Sequence, residues 1–196
     1  MIETMLRTFL RSVTIGAVLL TLPLGTRAAA QKAPVNAHAA TIAEFVKRVD
    51  AYVALHRKLE STIPALPKQG TPAQIDAHQR DLARLIQAAR KNAKPGDLIT
   101  REMQALVRLV LRPIFLGEDG RQMKAEILDK EITGNVKLAV NGRYPDEVPL
   151  SIVPPQVLTS LPILPEELEY RFVRQNLILL DPHAHIIADY VERAFK

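Results

Sequence analysis

Histidine and carboxylate side chains are the residues of this chain best suited to chemistry. The 196-residue sequence has five histidines and no cysteine. Without thiols there can be no disulfide framework, no thiol nucleophile, no cysteine zinc site and no iron–sulfur cluster. Imidazole and carboxylate remain as possible metal ligands. Asp181-x-His183-x-His185, with Asp189 close behind, sets oxygen and nitrogen donors at alternate positions. On an extended strand, alternate residues share a face. His183, His185 and Asp181 would then chelate Zn, Ni or Cu without sulfur. The same residues also read as a solvent-exposed turn, because Asp-Pro starts turns. A second pair, His56 and His78, sits at apolar-seam positions of two helices and reads either as metal ligands or as water-bonded seam edges.

Other chemistries find little support. Beyond residue 30 the only serines are Ser61, Ser151 and Ser160, and none lies in a Gly-x-Ser-x-Gly elbow. The acid pairs Glu166-Glu167 and Asp146-Glu147 keep an envelope glycan hydrolase as an alternative, since two carboxylates suffice for that reaction. There is no Gly-rich phosphate loop and no dinucleotide fingerprint.

Residues 1–30 have the form of a cleaved signal peptide. Arg7 and Arg11 precede an apolar stretch from Val13 to Leu24, and Ala28-Ala29-Ala30 supplies small residues for the cut. The apolar run is too short for a spanning helix, which needs about 20 residues. The cleaved chain is therefore expected to be soluble, with no stable membrane span, in the periplasm or secreted. The formal net charge is +5, and residues 1–30 carry Arg7, Arg11 and Arg27 against Glu3, so the cleaved chain keeps three of those charges. With no basic block and an exported address, nucleic acid is not an expected partner.

Residues 31–40 read as a disordered leader and 41–132 as a helical region. Ile42, Phe45, Val49, Tyr52, His56, Leu59 and Ile63 follow an unbroken 3-4-3-4 spacing behind Thr41. A second helix opens at Thr71-Pro72 and carries Ile75, His78, Leu82, Leu85 and Ala89. An antiparallel turn centred on Pro67 sets Leu59 against Ile75, His56 against His78 and Tyr52 against Leu82. A third helix is expected over 100–116, kinked or ended by Pro113. A short fourth is expected over Arg121–Lys130.

Residues 133–196 form a Pro-rich strap and a small β unit. Seven of the 14 prolines fall between Pro145 and Pro182. Gly134-Asn135 and Asn141-Gly142 are turn signals around an expected strand at Val136–Val140. Pro154-Pro155 opens a short helix through Leu161. Leu168 to Val173 and Leu177 to Leu180 are strands about a polar turn, and Ile186 to Val191 is a third strand or a terminal helix. The stretch Arg143–Pro165 reads either as a docking strip or as a strap joining the halves. The fold class is α+β: a helical hairpin and third helix, then a small antiparallel β-meander.

Glu169-Tyr170-Arg171-Phe172-Val173, Asn176 to Pro182 and Ile186-Ile187, preceded by Leu164-Pro165, resemble the small periplasmic β module of the nickel/cobalt-homeostasis family. The resemblance spans about 30 residues and implies a periplasmic β-meander. The whole chain, above all Asn141-Gly142-Arg143-Tyr144-Pro145-Asp146-Glu147-Val148-Pro149, resembles an uncharacterised family of exported bacterial proteins. The leading functional expectation is a non-enzymatic periplasmic protein that contacts an envelope protein. The alternative is transition-metal binding through His183 and His185.

Overall fold

Eight elements follow one another in a computed structural model that describes residues 37–129 and 136–196. They are α1 (Ala37–Glu60), α2 (Pro72–Ala89), α3 (Arg101–Leu116), α4 (Gly120–Asp129), α5 (Pro155–Ser160), β1 (Glu169–Val173), β2 (Asn176–Asp181) and β3 (Ile186–Val191). The fold is α+β, with helices first and a β1-β2-β3 antiparallel meander last. The signal sequence expected at 1–30, the start of the leader and the turn at Gly134-Asn135 lie outside the described residues. Of the stretch 31–40, residues 37–40 are helical, so α1 begins one turn before Thr41. Among the described residues no helix is long and apolar enough to cross a membrane.

Caps account for the starts of α2 and α3. Thr71 accepts from the Gln74 amide while the Gln74 side chain accepts from the Thr71 amide, a reciprocal capping box with Pro72 at the first helical position. Thr100 accepts from the Met103 amide. Pro113 does not end α3, which runs on to Leu116. The donor that proline lacks would have served Leu109, and both residues are exposed, so water can take the carbonyl.

Phe45, Val49, Tyr52 and His56 of α1 are buried as the spacing predicts, together with Val53, whereas Leu59 is partly buried and Ile42 is exposed. The buried residues of α2 are His78, Leu82, Ala83 and Ile86, whereas Leu85 is only partly buried and Ile75 and Ala89 are exposed. The face has rotated because α2 packs against the β unit as well as α1. Gln79 donates to the Pro182 carbonyl and Arg90 to the Ala188 carbonyl.

The sheet is covered on both faces. Phe172, Leu177, Leu179, Ile186 and Ala188 join the main core with the helices. Val173, Ile178, Leu180, Ile187 and Tyr190 form a second cluster beneath Tyr144 and Val148 of the strap, with Val136, Leu138 and Val140 packed against it. That double burial explains why Leu177 to Leu180 is apolar without alternation. Val136–Val140 is not a strand. The pairing falls a few residues later, where Asn141 and Tyr144 donate to the Ile187 and His185 carbonyls and the Ile187 amide donates to Gly142. The chain turns at Asn141, which has φ 61°, and a Cβ at Gly142 would lie 2.9 Å from the Ala139 carbonyl oxygen.

The strap is fastened at Ser151. Its hydroxyl donates to the Phe172 carbonyl at 2.7 Å and accepts from the Phe172 amide at 2.8 Å. Both groups lie on the open edge of β1, where a strand partner would otherwise bond. Deeper in the core, the Asp189 carboxylate accepts from the Gly96, Leu98, Ile99 and Tyr190 amides. This clamps the α2–α3 connection onto β3.

Two substitutions test these fastenings. Asp189→Asn turns an NH2 group toward amide donors and should lower stability by about 2–3 kcal/mol. That corresponds to a fall in Tm of roughly 4–12 °C. Ser151→Ala should lower it by about 1–3 kcal/mol. Calorimetric unfolding of each variant provides the measurement, and unchanged melting would remove the role given to that fastening.

Candidate metal centre

The end of α1, the middle of α2 and the β2–β3 turn meet around one carboxylate, Glu60. The i,i+4 spacing places His56 and Glu60 on the same face of α1. His56 Nε2 lies 3.2 Å from Glu60 Oε2. His78, from α2, sets its Nε2 3.3 Å from Glu60 Oε1. His183, from the turn, sets its Nδ1 3.3 Å from the same oxygen. Ligand atoms of His56, Glu60 and His183 all lie within 4.8 Å of one another.

Hydrogen bonds on the far side of two imidazoles fix their orientation. His56 is fully buried, and its Nδ1 lies 2.7 Å from Asp181 Oδ2, which also accepts from the Tyr52 hydroxyl at 2.6 Å. His78 Nδ1 lies 3.1 Å from the Pro64 carbonyl. A carbonyl and an ionised carboxylate only accept, so both Nδ1 atoms carry hydrogen. In the neutral tautomer each Nε2 then aims a lone pair at Glu60, an arrangement that asks for a proton or a metal cation between them. The Asp181–His56 contact is the carboxylate–histidine pair that commonly backs a metal-bound imidazole. His183 Nδ1 is screened from solvent without a hydrogen-bond partner, since its approach to Glu60 has ion-pair distance but not hydrogen-bond alignment.

The titration behaviour follows from these contacts. Burial alone would lower the His56 pKa, but the hydrogen bonds and charges of Asp181 and Glu60 outweigh it and raise the value. Burial would raise the Glu60 pKa, yet the His78 hydrogen bond and the charges of His183 and His56 hold it below the ordinary value. Burial and the Asp181 charge push the Tyr52 phenol well up, so it stays a donor.

The sequence motif Asp181-x-His183-x-His185 is divided by the fold. Residues 182–185 are a tight turn, not a strand, and Asp181 Oδ1 caps it by accepting from the Ala184 amide at 2.8 Å. His185 has φ 53°, which reverses the chain. His183 therefore turns toward Glu60, Asp181 faces inward to His56, and His185 lies apart beside Tyr144 with its Nε2 3.5 Å from Asp146. Burial and the Arg143 charge lower the His185 pKa. His56 and His78 do face each other across the hairpin, through Glu60. Glu60 is not among the ligands expected from the sequence, although the His56-x-x-x-Glu60 spacing on one helical face is a visible signal.

The acid pairs stand elsewhere. Glu167 is buried and ion-paired with Arg57; burial opposes its charge, but Arg57 holds the pKa below the ordinary value. Asp146 binds Arg80 and Arg143.

Asp181→Asn removes the charge that raises the His56 pKa. In chelator-treated protein, NMR titration of the ring should show that pKa falling. Because the folded value is raised, protonation of His56 stabilises the fold below about pH 6.5. That contribution is lost as pH rises through the folded value. Stability of the variant should consequently decline less between about pH 6 and pH 8. An unmoved His56 titration would refute the role of Asp181.

No protein-family model, curated protein or solved structure matches this chain.

Proposed function

We propose that this protein is an exported, non-enzymatic binder of a transition-metal ion, with His56, Glu60 and His183 as ligands and His78 and Asp181 as positioning residues. The observation that carries the reading is the convergence of imidazole nitrogens from three elements on the Glu60 carboxylate at 3.2–3.3 Å. Tetrahedral bonds of about 2.0–2.1 Å leave neighbouring donor atoms roughly 3.3–3.4 Å apart; each imidazole already stands at that distance from a Glu60 oxygen, and the three ligand atoms, within 4.8 Å of one another, would draw together around an ion. Two imidazoles and one carboxylate leave a coordination position open. His183 is 40% exposed and gives the ion a way in. Export rests on the charged, apolar and small-residue sections of residues 1–30. The resemblance of the C-terminal segment to the periplasmic nickel/cobalt module favours the same compartment.

Contact with an envelope protein is the second reading. Its support is the apolar rim of the strap, where Ile163 is 95% exposed beside Ile152 and Leu158.

Calorimetric titration with Zn, Ni and Cu tests the first reading. The expected result is one ion per chain, with affinity reduced at least tenfold in His56→Ala and His183→Ala. Asp181→Asn should weaken binding by about 10–100-fold. His185→Ala should bind as the parent does. Equal, weak heats for the parent and His183→Ala would end the proposal.

A further inference from the structure

Far from the histidines in function, a second feature lies where the end of α3 meets the C-terminal residues. A pocket of about 380 Å³ is lined by eight residues, among them Arg108, Arg112, Phe115, Leu116, Arg193 and Phe195. Its size falls within the range of small-molecule sites. The apolar part is rigid. Phe115 and Phe195 stack with centroids 4.2 Å apart, and Phe172 meets both edge-on at 6.0 and 5.4 Å. Leu116, 68% exposed, forms an apolar lip.

The polar part is wholly cationic. Four of the eight lining residues are Arg or Lys, and no carboxylate side chain lines the pocket. Arg108 is held in place by donating through Nε and Nη2 to the Glu192 carbonyl, a neutral acceptor that leaves its charge uncompensated. Among the described residues, Arg112, Arg193 and Lys196 have no ion-pair partner. Several arginines elsewhere on the surface sit on acids, as Arg48 does on Glu44, Arg80 on Asp76 and Arg171 on Glu169, whereas this pocket gathers its cations without one. A single cation suffices to offset the negative end of the α3 dipole. The remaining cations surround a hydrophobic floor. A guanidinium fork matches the geometry of phosphate or carboxylate oxygens.

We propose that this pocket binds a single anionic amphiphile, a phosphate- or carboxylate-headed molecule whose alkyl chain lies against Phe115, Leu116 and Phe195. The head is held by Arg112 and Arg193, with Arg108 pre-positioned behind them. The ligand enters as a monomer, not as part of a bilayer.

Titration calorimetry of the purified protein with octyl phosphate below its micelle concentration tests this. The expected result is one molecule bound per chain, at least tenfold more tightly than inorganic phosphate, which lacks the chain, or octyl glucoside, which lacks the charge. Arg112→Glu/Arg193→Glu should weaken octyl phosphate at least tenfold without altering the melting temperature, since both side chains are exposed. Should that variant fail to fold, Leu116→Asp gives an independent reading and should cause a similar loss. His183→Ala, at a ligand that is 40% exposed, should retain parental affinity for octyl phosphate, so failure of the metal centre and failure of this pocket are separable. Octyl phosphate binding no better than inorganic phosphate, undiminished binding in both charge-reversed and Leu116→Asp proteins, or association with phosphatidylglycerol vesicles but not with the monomer would each overturn the proposal.

Discussion

Two carboxylates with no access to water, Asp181 and Asp189, govern how this molecule is assembled. An isolated charge in a protein interior is untenable unless it is paired and fully hydrogen-bonded. Both residues sit on the β2–β3 hairpin, and both find much of their compensation in the helical half. Asp189 takes its amides mainly from the α2–α3 connection, and Asp181 takes His56 and Tyr52 from α1. A meander packed on the helices in any other register would keep the two carboxylates buried without these partners. That constraint supplies directionality, which apolar packing alone lacks.

The strap completes the same logic from the opposite side. A three-stranded sheet with helices on one face still presents apolar residues on the other, and its edge strand presents unpaired backbone. Tyr144 and Val148 cover the face, and Ser151 occupies the edge by bonding both backbone groups of Phe172. The Pro-rich composition suits this task, since an extended segment with fixed φ loses little entropy when it is laid down. The docking also brings the histidine cluster into being. His56 and Glu60 belong to α1, His78 to α2 and His183 to the turn that Asp181 caps, so the four meet only when the hairpin and meander are in register.

Much of this was legible in the residues themselves. The 3-4-3-4 seam of α1, the Thr71-Pro72 start of α2 and the Thr100 cap of α3 appear where the spacing places them, because each depends on local geometry within a turn or two. The facing of His56 and His78 was also readable, since a short connection between helices leaves few registers. Two features were not. Val136–Val140 looked like a strand because it is apolar and bounded by turns, yet the pairing with β3 falls on residues 141–144, where the chain can reverse. The turn at 182–185 was readable from Asp181-Pro182, but not that the Asp181 cap sends His183 toward Glu60 and His185 away from it.

The residue order by itself determined the helices, the caps, the meander and the presence of imidazole and carboxylate without thiol, since these follow from periodicity and side-chain chemistry over short separations. Tertiary structure alone decided that Glu60 would be the meeting point, that Asp181 would stand behind His56, and that His183 would join them without His185. Such a site draws on residues more than 120 positions apart. Their approach is set by the burial of Asp181 and Asp189, and no local pattern encodes where a distant partner for a buried charge will come from.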